Sequence, residues 1–362
     1  LKPFWLLQLL HIVLLGFLLS TQIFLIFHMG GIISKGLRIA FATGLAVNML
    51  WSSALMKVIS CLPAPKLTRQ GICLMVIQAA WKLSLMLSPW MWYANTAGYS
   101  DEWSLVLKNI AESDASAARG DAPYRPLFIL GNHTSFFDTV LSATCFPSRV
   151  LWRCRTYMDK GLFKLPILST VCTSIGHFPV YFQSAEEGKF KVDKEKMDVV
   201  EQNVDEHIKQ GGFLCFFPEG QTNKTLDNIL PFRYGGMKKA LDFDARMILF
   251  VAAGNTSVWP KKALIGGFPG RIAIGAKALA PKGAKALVAE LRAKCTPEEK
   301  DMADQELLAK YARDAMQQEY DKVKMSLPSS VLSLLWSSSF FLVFYSVVGI
   351  SMYHTALRLL SR

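Results

Sequence analysis

Two long runs without a single Lys, Arg, Asp or Glu, Phe4 to Phe27 and Val331 to Tyr353, lie near the two ends of this chain. At ~1.5 Å per helical residue, either run can cross a hydrocarbon core of ~30 Å. Both are expected to span a membrane, so whatever lies between them folds beside a bilayer. The first run lacks the small-x-small cleavage site of a secretory signal. The chain begins at Leu1 rather than Met, and a short preceding piece is expected.

Two further apolar segments follow the first run. Residues 39–62 include Asn48 and Lys57, and residues 71–92 include Lys82 near their centre. A Lys at mid-span costs about 2.5–3.5 kcal/mol on insertion scales. Gln78 and Lys82 share one helical face, which fits a helix lying in one leaflet with a polar stripe toward water. A true span with Lys82 against another helix fits equally. Trp81, Trp90 and Trp92 read as an interfacial belt or as core packing. Three parts are therefore expected: a membrane region over 1–92, a catalytic domain over 93–328, and a C-terminal transmembrane helix over 329–362. Lys35, Arg38, Lys66, Arg69, Lys322 and Lys324 lie on the domain side of the two end runs, against Lys2, Arg358 and Arg362 on the other. By the positive-inside rule the domain faces the cytosol. An integral protein of the endoplasmic reticulum is the expected setting.

The middle of the chain alternates strand and helix patterns. Residues 126–130, 213–217, 247–252 and 271–275 are short apolar runs of strand length. Between the first two, Met197, Val200, Val204 and Ile208 recur at helical spacing until Gly211-Gly212. Thr296-Pro297-Glu298-Glu299 is a capping box expected to open a long helix to Met325. The pattern predicts an α/β fold with a mixed sheet flanked by helices.

The net charge of +12 suits an anionic membrane surface or phosphate-bearing ligands. No nucleic-acid motif accompanies it, so no nucleic-acid partner is expected. The seven cysteines show no CxxC spacing and several sit in apolar runs, which reads as buried reduced thiols rather than a metal site.

One stretch carries chemistry. In Gly131-Asn132-His133-Thr134-Ser135-Phe136-Phe137-Asp138, an apolar strand ends, and His133 and Asp138 follow with four residues between them. A His near neutral pKa can take a proton from a hydroxyl, and a carboxylate on its far nitrogen fixes the tautomer. Any isolated His-x4-Asp is more often a capping histidine and a surface acid. The flanks decide otherwise. Asn132-His133-x4-Asp138, followed some 85 residues later by Phe217-Pro218-Glu219-Gly220, resembles the glycerolipid acyltransferase family typified by lysophosphatidic acid acyltransferase. The likeness extends over about 125–285.

That resemblance implies a His133 base oriented by Asp138, and an acceptor site that includes Asn132, Glu219 and Gly220. It implies acyl-CoA as co-substrate with no cofactor or metal, and a lysophospholipid acceptor held at a bilayer. The acceptor with the best match is 1-acyl-glycerol-3-phosphate. Three positions depart from the family pattern. Gln221 stands where the family has Thr, Phe182 where it has a basic residue, and the segment Leu249 to Ala252 lacks the usual Pro. With a one-residue gap, Thr222-Asn223-Lys224-Thr225 resembles the lysophosphatidylcholine acyltransferase branch, so that acceptor, another lysophospholipid or glycerol-3-phosphate stays open. Cations to meet phosphate come from two clusters, Arg149, Arg153, Arg155, Lys160 and Lys164, and then Arg233, Lys238 and Lys239. Lys224 and Arg233 lie closest to the Glu-Gly turn. A solvated basic face is the plainer reading of each.

Two other functions compete with this one. A serine hydrolase needs a Gly-x-Ser-x-Gly elbow, which is absent. A non-catalytic lipid-binding membrane protein would not need His133 and Asp138. His177 is a rival base without a carboxylate at matching spacing, and His207 is expected to face solvent.

Overall fold

A computed structural model describes residues 34–184, 191–225 and 227–327. The expected spans 4–27 and 331–353 lie outside the described residues.

The described chain opens with α1 (Ser34–Ser60) and α2 (Lys66–Met86), then β1 (Met91–Asn95) and α3 (Tyr99–Arg119). The site-bearing stretch is β2 (Leu127–Gly131), α4 (Phe137–Cys145), the short α5 (Ser148–Leu151), β3 (Cys154–Asp159), α6 (Pro166–Ile175) and β4 (Phe178–Val180). A small hairpin, β5 (Phe182–Ser184) and β6 (Lys191–Val192), leads to α7 (Lys194–Lys209) and β7 (Phe213–Phe216). The chain continues as α8 (Tyr234–Asp242), β8 (Arg246–Ala253), α9 (Asn255–Val258), β9 (Gly270–Ala280), α10 (Ala284–Arg292) and α11 (Asp304–Met325).

Seven strands form one sheet in the order β1-β9-β8-β2-β7-β3-β4. All neighbours run parallel except β8 and β9, so the sheet is mixed as expected. Each central strand feeds two cores by alternation. Leu127 and Ile129 of β2 join Phe213, Ile248 and Phe250 on one face, with side chains from α2, α3, α4 and α6. Phe128 and Leu130 join Leu214, Phe216 and Leu249 on the other, under α7, α8, α10 and α11. Burial on both faces is why β2, β7 and β8 are apolar end to end rather than alternating.

The segment 71–92 does not form one spanning helix. It is helical only to Met86, and β1 begins at Met91, so the boundary expected at 92 falls inside a sheet strand. Gln78 does not face water. Its amide donates to the carbonyls of Ala143 (2.9 Å) and Phe146 (3.1 Å), and its oxygen accepts from Ser148 Oγ at 2.8 Å. Those bonds fasten α2 to α4 and the loop after it. Trp90 is a core ring whose Nε1 donates to the carbonyl of Gly267 at 2.9 Å. Among the described residues α1 alone is long and apolar enough to cross a membrane. Phe41, Met56 and Ile59 bury one side of it, while Ile39, Val47 and Val58 are exposed on another.

The Thr296 box caps only a single turn of 3-10 helix, Pro297–Glu299. The long helix starts five residues later, at Asp304, where Glu306 accepts from the Ala303 N–H.

Candidate active site

The site gathers where β2 and β7 end. Asn132, directly after β2, closes a two-way bridge to Ala252 of β8: its Nδ2 donates to the Ala252 carbonyl and its Oδ1 accepts from the Ala252 N–H, both at 2.9 Å. That bridge fixes the outlet of the strand and directs the next residue, His133.

Every polar atom of His133 has a partner. Its N–H donates to Glu219 Oε1 at 2.9 Å, and its carbonyl accepts from the Asn223 N–H at 2.5 Å. Ring atom Nδ1 lies 3.0 Å from Asp138 Oδ2, and Nε2 lies 3.2 Å from Thr222 Oγ1. The imidazole stacks on Phe217 with centroids 4.3 Å apart and planes 15° apart. The side chain keeps 20% of its surface open. A donor role for Nδ1 toward the carboxylate leaves Nε2 as the acceptor, the form a general base requires.

Asp138 sits in the first turn of α4 and is almost fully buried. Its Oδ2 also accepts from the N–H groups of Thr134 (2.7 Å) and Ser135 (2.9 Å), and its Oδ1 accepts from Asn255 Nδ2. All these partners are donors, the surroundings that a carboxylate acting only as acceptor fills. Asn255 Nδ2 also donates to Thr134 Oγ1 at 2.8 Å, so the loop after β8 braces the loop after β2. Ser135 is no nucleophile. Its hydroxyl donates to the Trp259 carbonyl at 2.7 Å and accepts from the Phe137 N–H.

Glu219 is buried, and both oxygens are committed: Oε1 to His133 N–H and Oε2 to Leu230 N–H at 3.0 Å. Burial raises its pKa, and the N–H donors pull the other way. Glu219 therefore ties the 217–220 turn to the base and to the following loop, rather than presenting a carboxylate to an acceptor. Asn132 is likewise a brace, with no polar atom left over. Gly220 closes the turn with its N–H on the Phe217 carbonyl at a φ of 69°. A Cβ there would sit 2.9 Å from Arg233 Cγ, so the turn needs glycine twice over.

Lys224 and Arg233 are both exposed, on the segment that Glu219 anchors, and the Arg233 stem lies over Gly220. The first basic cluster does not gather at the site. Arg153 pairs with Asp114 at 2.6 Å, and Arg155 is buried with Nη1 on the Cys154 carbonyl. Lys160 lies by the rings of Phe163 and Tyr181. Of the second cluster, Lys238 pairs with Asp242, and Lys239 with Glu201 and Asp205. His177 is half-buried, and its Nδ1 accepts from the Thr156 N–H at 3.2 Å. Burial, with Arg155 and His207 nearby, pushes its pKa down to about 3. His207 does not face solvent. Its Nε2 reaches the carbonyls of Arg153 (3.1 Å) and Phe213 (3.2 Å), and burial lowers its pKa to about 4.

Two residues outside the expected set complete the site. Thr222 had a signal, the gapped match at 222–225. Asn255 had none, because nothing in the chain marks it as a partner of a residue 117 positions earlier. Among the described residues no three His, Cys, Asp or Glu side chains gather as a metal would require.

A histidine held by a carboxylate at one nitrogen and facing a hydroxyl at the other, at the strand ends of a mixed α/β sheet, is an arrangement able to take a proton from a hydroxyl group. Residues 112–252 match the family model described as Acyltransferase. That match places an acyltransferase domain over these residues, in line with the glycerolipid acyltransferase motifs in the sequence. Among solved structures, its fold is similar to the crystal structure of the 1-acyl-sn-glycerophosphate (LPA) acyltransferase PlsC from Thermotoga maritima. The two share 14% identity with a TM-score of 0.56, over 83% of this chain and 99% of that one. No curated protein sequence matches the chain.

Proposed function

We propose that the protein transfers a fatty acyl group from acyl-CoA to the free hydroxyl of 1-acyl-glycerol-3-phosphate, giving phosphatidic acid. The observation that carries this reading is the row Asp138–His133–Thr222, which holds Nε2 of His133 as an acceptor facing a hydroxyl. In the reaction the acceptor hydroxyl takes the place of the Thr222 hydroxyl. Its oxygen attacks the thioester carbonyl as its proton passes to Nε2, and the imidazolium is stabilised by Asp138. The C–S bond breaks, and the thiolate of coenzyme A takes the proton back from His133. Activity of this kind in the PlsC neighbour supports the choice of acceptor. The segment 222–225 supports lysophosphatidylcholine as the second choice.

The test is release of free thiol by the purified full-length chain with acyl-CoA and a panel of lysolipids. Turnover should be fastest with 1-acyl-glycerol-3-phosphate, and Lys224→Ala should raise the acceptor constant more than the donor constant. No turnover on any lysolipid ends the proposal, and a selective rise in the donor constant moves Lys224 to coenzyme A.

We place the protein in the membrane of the endoplasmic reticulum with the α/β domain in the cytosol. The charge distribution around the end runs supports that orientation. Protease added to sealed microsomes should cut between Trp103 and Lys324, and full protection of that region reverses the assignment.

A further inference from the structure

The loop between α9 and β9 is built around a side chain that buries nothing. Leu264 is 92% exposed, more than any other large apolar residue described, and Ile265 beside it is also exposed. An isolated exposed leucine is ordinary. Here it caps a loop that is held firmly in place. Trp259 Nε1 donates to the Ala263 carbonyl at 3.2 Å, and the N–H groups of Gly267 and Phe268 both return to the Val258 carbonyl. Arg38 of α1 donates to the Ile265 carbonyl at 3.2 Å and lies 4.0 Å over the Phe268 ring. Gly267, at a φ of 90°, lets Phe41 of α1 press against the backbone. So many fixed contacts serve to present Leu264 outward rather than to bury it.

Two features say what it is presented to. Lys261 and Lys262 are exposed three and two residues before Leu264, so an aliphatic tip carries two positive charges at its base. That pairing fits the boundary of an anionic bilayer, where apolar groups enter the acyl region and lysines meet headgroups. The loop also joins α1 at Arg38, and the next residue of α1, Ile39, is 67% exposed. The loop is thus fastened to the helix that has the length and composition of a membrane segment.

We infer that the loop over residues 259–268 is a membrane-contact element that inserts Leu264 into an anionic lipid surface, with Lys261 and Lys262 on the headgroups. The consequence for the site is direct. The Trp259 carbonyl accepts from Ser135, and the Trp259 ring packs on Phe136, three residues from His133. A loop seated in the headgroups places the base at the bilayer surface, where an acceptor can reach it without leaving the lipid. The inference rests on the reading that the chain works at a membrane, but not on which lipid it acylates.

The test replaces Leu264 of the full-length chain by a genetically encoded dansyl amino acid and reads its emission in vesicles. Phosphatidylcholine vesicles are compared with vesicles that also contain phosphatidylglycerol, each with and without nitroxide-labelled acyl chains. Emission should shift to the blue and be quenched by nitroxide in the anionic vesicles. The double variant Lys261→Glu, Lys262→Glu should weaken the insertion by more than about 30-fold, since losing two lysines at an anionic surface costs that much before the new carboxylates repel it. The same probe at Glu290, exposed on α10, should stay water-like in both. Three outcomes overturn the inference: a water-like probe at 264 in anionic vesicles, quenching indifferent to charge reversal, or a shift that follows protein-to-lipid ratio and so reports a second copy of the chain. Acyl transfer, measured on the same samples, reads the proposed reaction independently.

Discussion

Two buried polar clusters flank β7 in this protein, and each contains histidine. At the strand ends, His133 has one ring nitrogen on a carboxylate and the other on a threonine hydroxyl, with part of its ring open. Under α7, His177 and His207 face backbone groups, and both are held neutral by burial and the guanidinium of Arg155. Both clusters satisfy their histidines, so satisfaction does not distinguish a reactive histidine from a structural one. The partners do. A backbone amide cannot leave, whereas a side-chain hydroxyl can give way to a substrate hydroxyl, and a carboxylate can stabilise the charge that follows.

The strongest way to break this contrast is to remove each histidine in turn. His133→Ala should lower acyl transfer by about 10²–10⁴-fold, the usual contribution of a general base, with little change in melting temperature. Asp138→Asn should lose a similar order, because it leaves the imidazolium without its counter-charge. His177→Gln should do the opposite, with a lower melting temperature and near-normal turnover. A well-folded His133→Ala protein with wild-type rate would make the two clusters equivalent.

Glu219 sharpens the comparison, since it is buried like the second cluster but belongs to the first. In Glu219→Gln the new –NH2 must face either His133 N–H or Leu230 N–H, and both are donors. Leaving such a group unpaired costs about 1–3 kcal/mol. Calorimetry should show the loss, and turnover should fall with it because the base is displaced. Unchanged stability with a selectively raised acceptor constant would instead put Glu219 in contact with the acceptor.

The smallest effect is in pH. Below the ordinary histidine value of 6.5, an unfolded chain takes up protons on His177 and His207 that the folded chain refuses until about pH 3 and 4. Stability should therefore fall as pH drops through that window. Glu219, with its pKa raised, acts in the reverse sense and favours the folded state at the acid end. Thermal melts at stepped pH should show a slope that His177→Gln flattens. An identical slope in that variant would mean His177 titrates normally.

Much of this was legible in the chain. The apolar runs over 126–130, 213–217 and 247–252 are strands because a central parallel sheet buries both faces, which leaves continuous hydrophobic stretches. His133 and Asp138 could be paired because four residues fit the turn from a strand end into a helix. Other features resisted for physical reasons. A helix covering a sheet and a helix lying in a leaflet have the same oily composition, so the sequence does not show that Gln78 of α2 turns inward to α4 rather than out to water. Histidine on a polar helix reads as exposed, yet His207 is on the buried side. The roles of Glu219 and Asn132 as braces of the His133 loop were not legible, because a family motif records which residues matter without saying which of them hold one another. Asn255 had no signal at all, since a brace between two loops leaves no spacing to read.

The pairing of β1 with β9 sets an order of events during synthesis. Met91 lies opposite Gly270, so the first strand of the sheet has no neighbour until residues almost 180 positions later have left the ribosome. At ~5–20 residues per second, β1 waits on the order of 10–40 s while the chain that will cover it is still being made. Throughout that interval the apolar α1 ahead of it is already available to the bilayer.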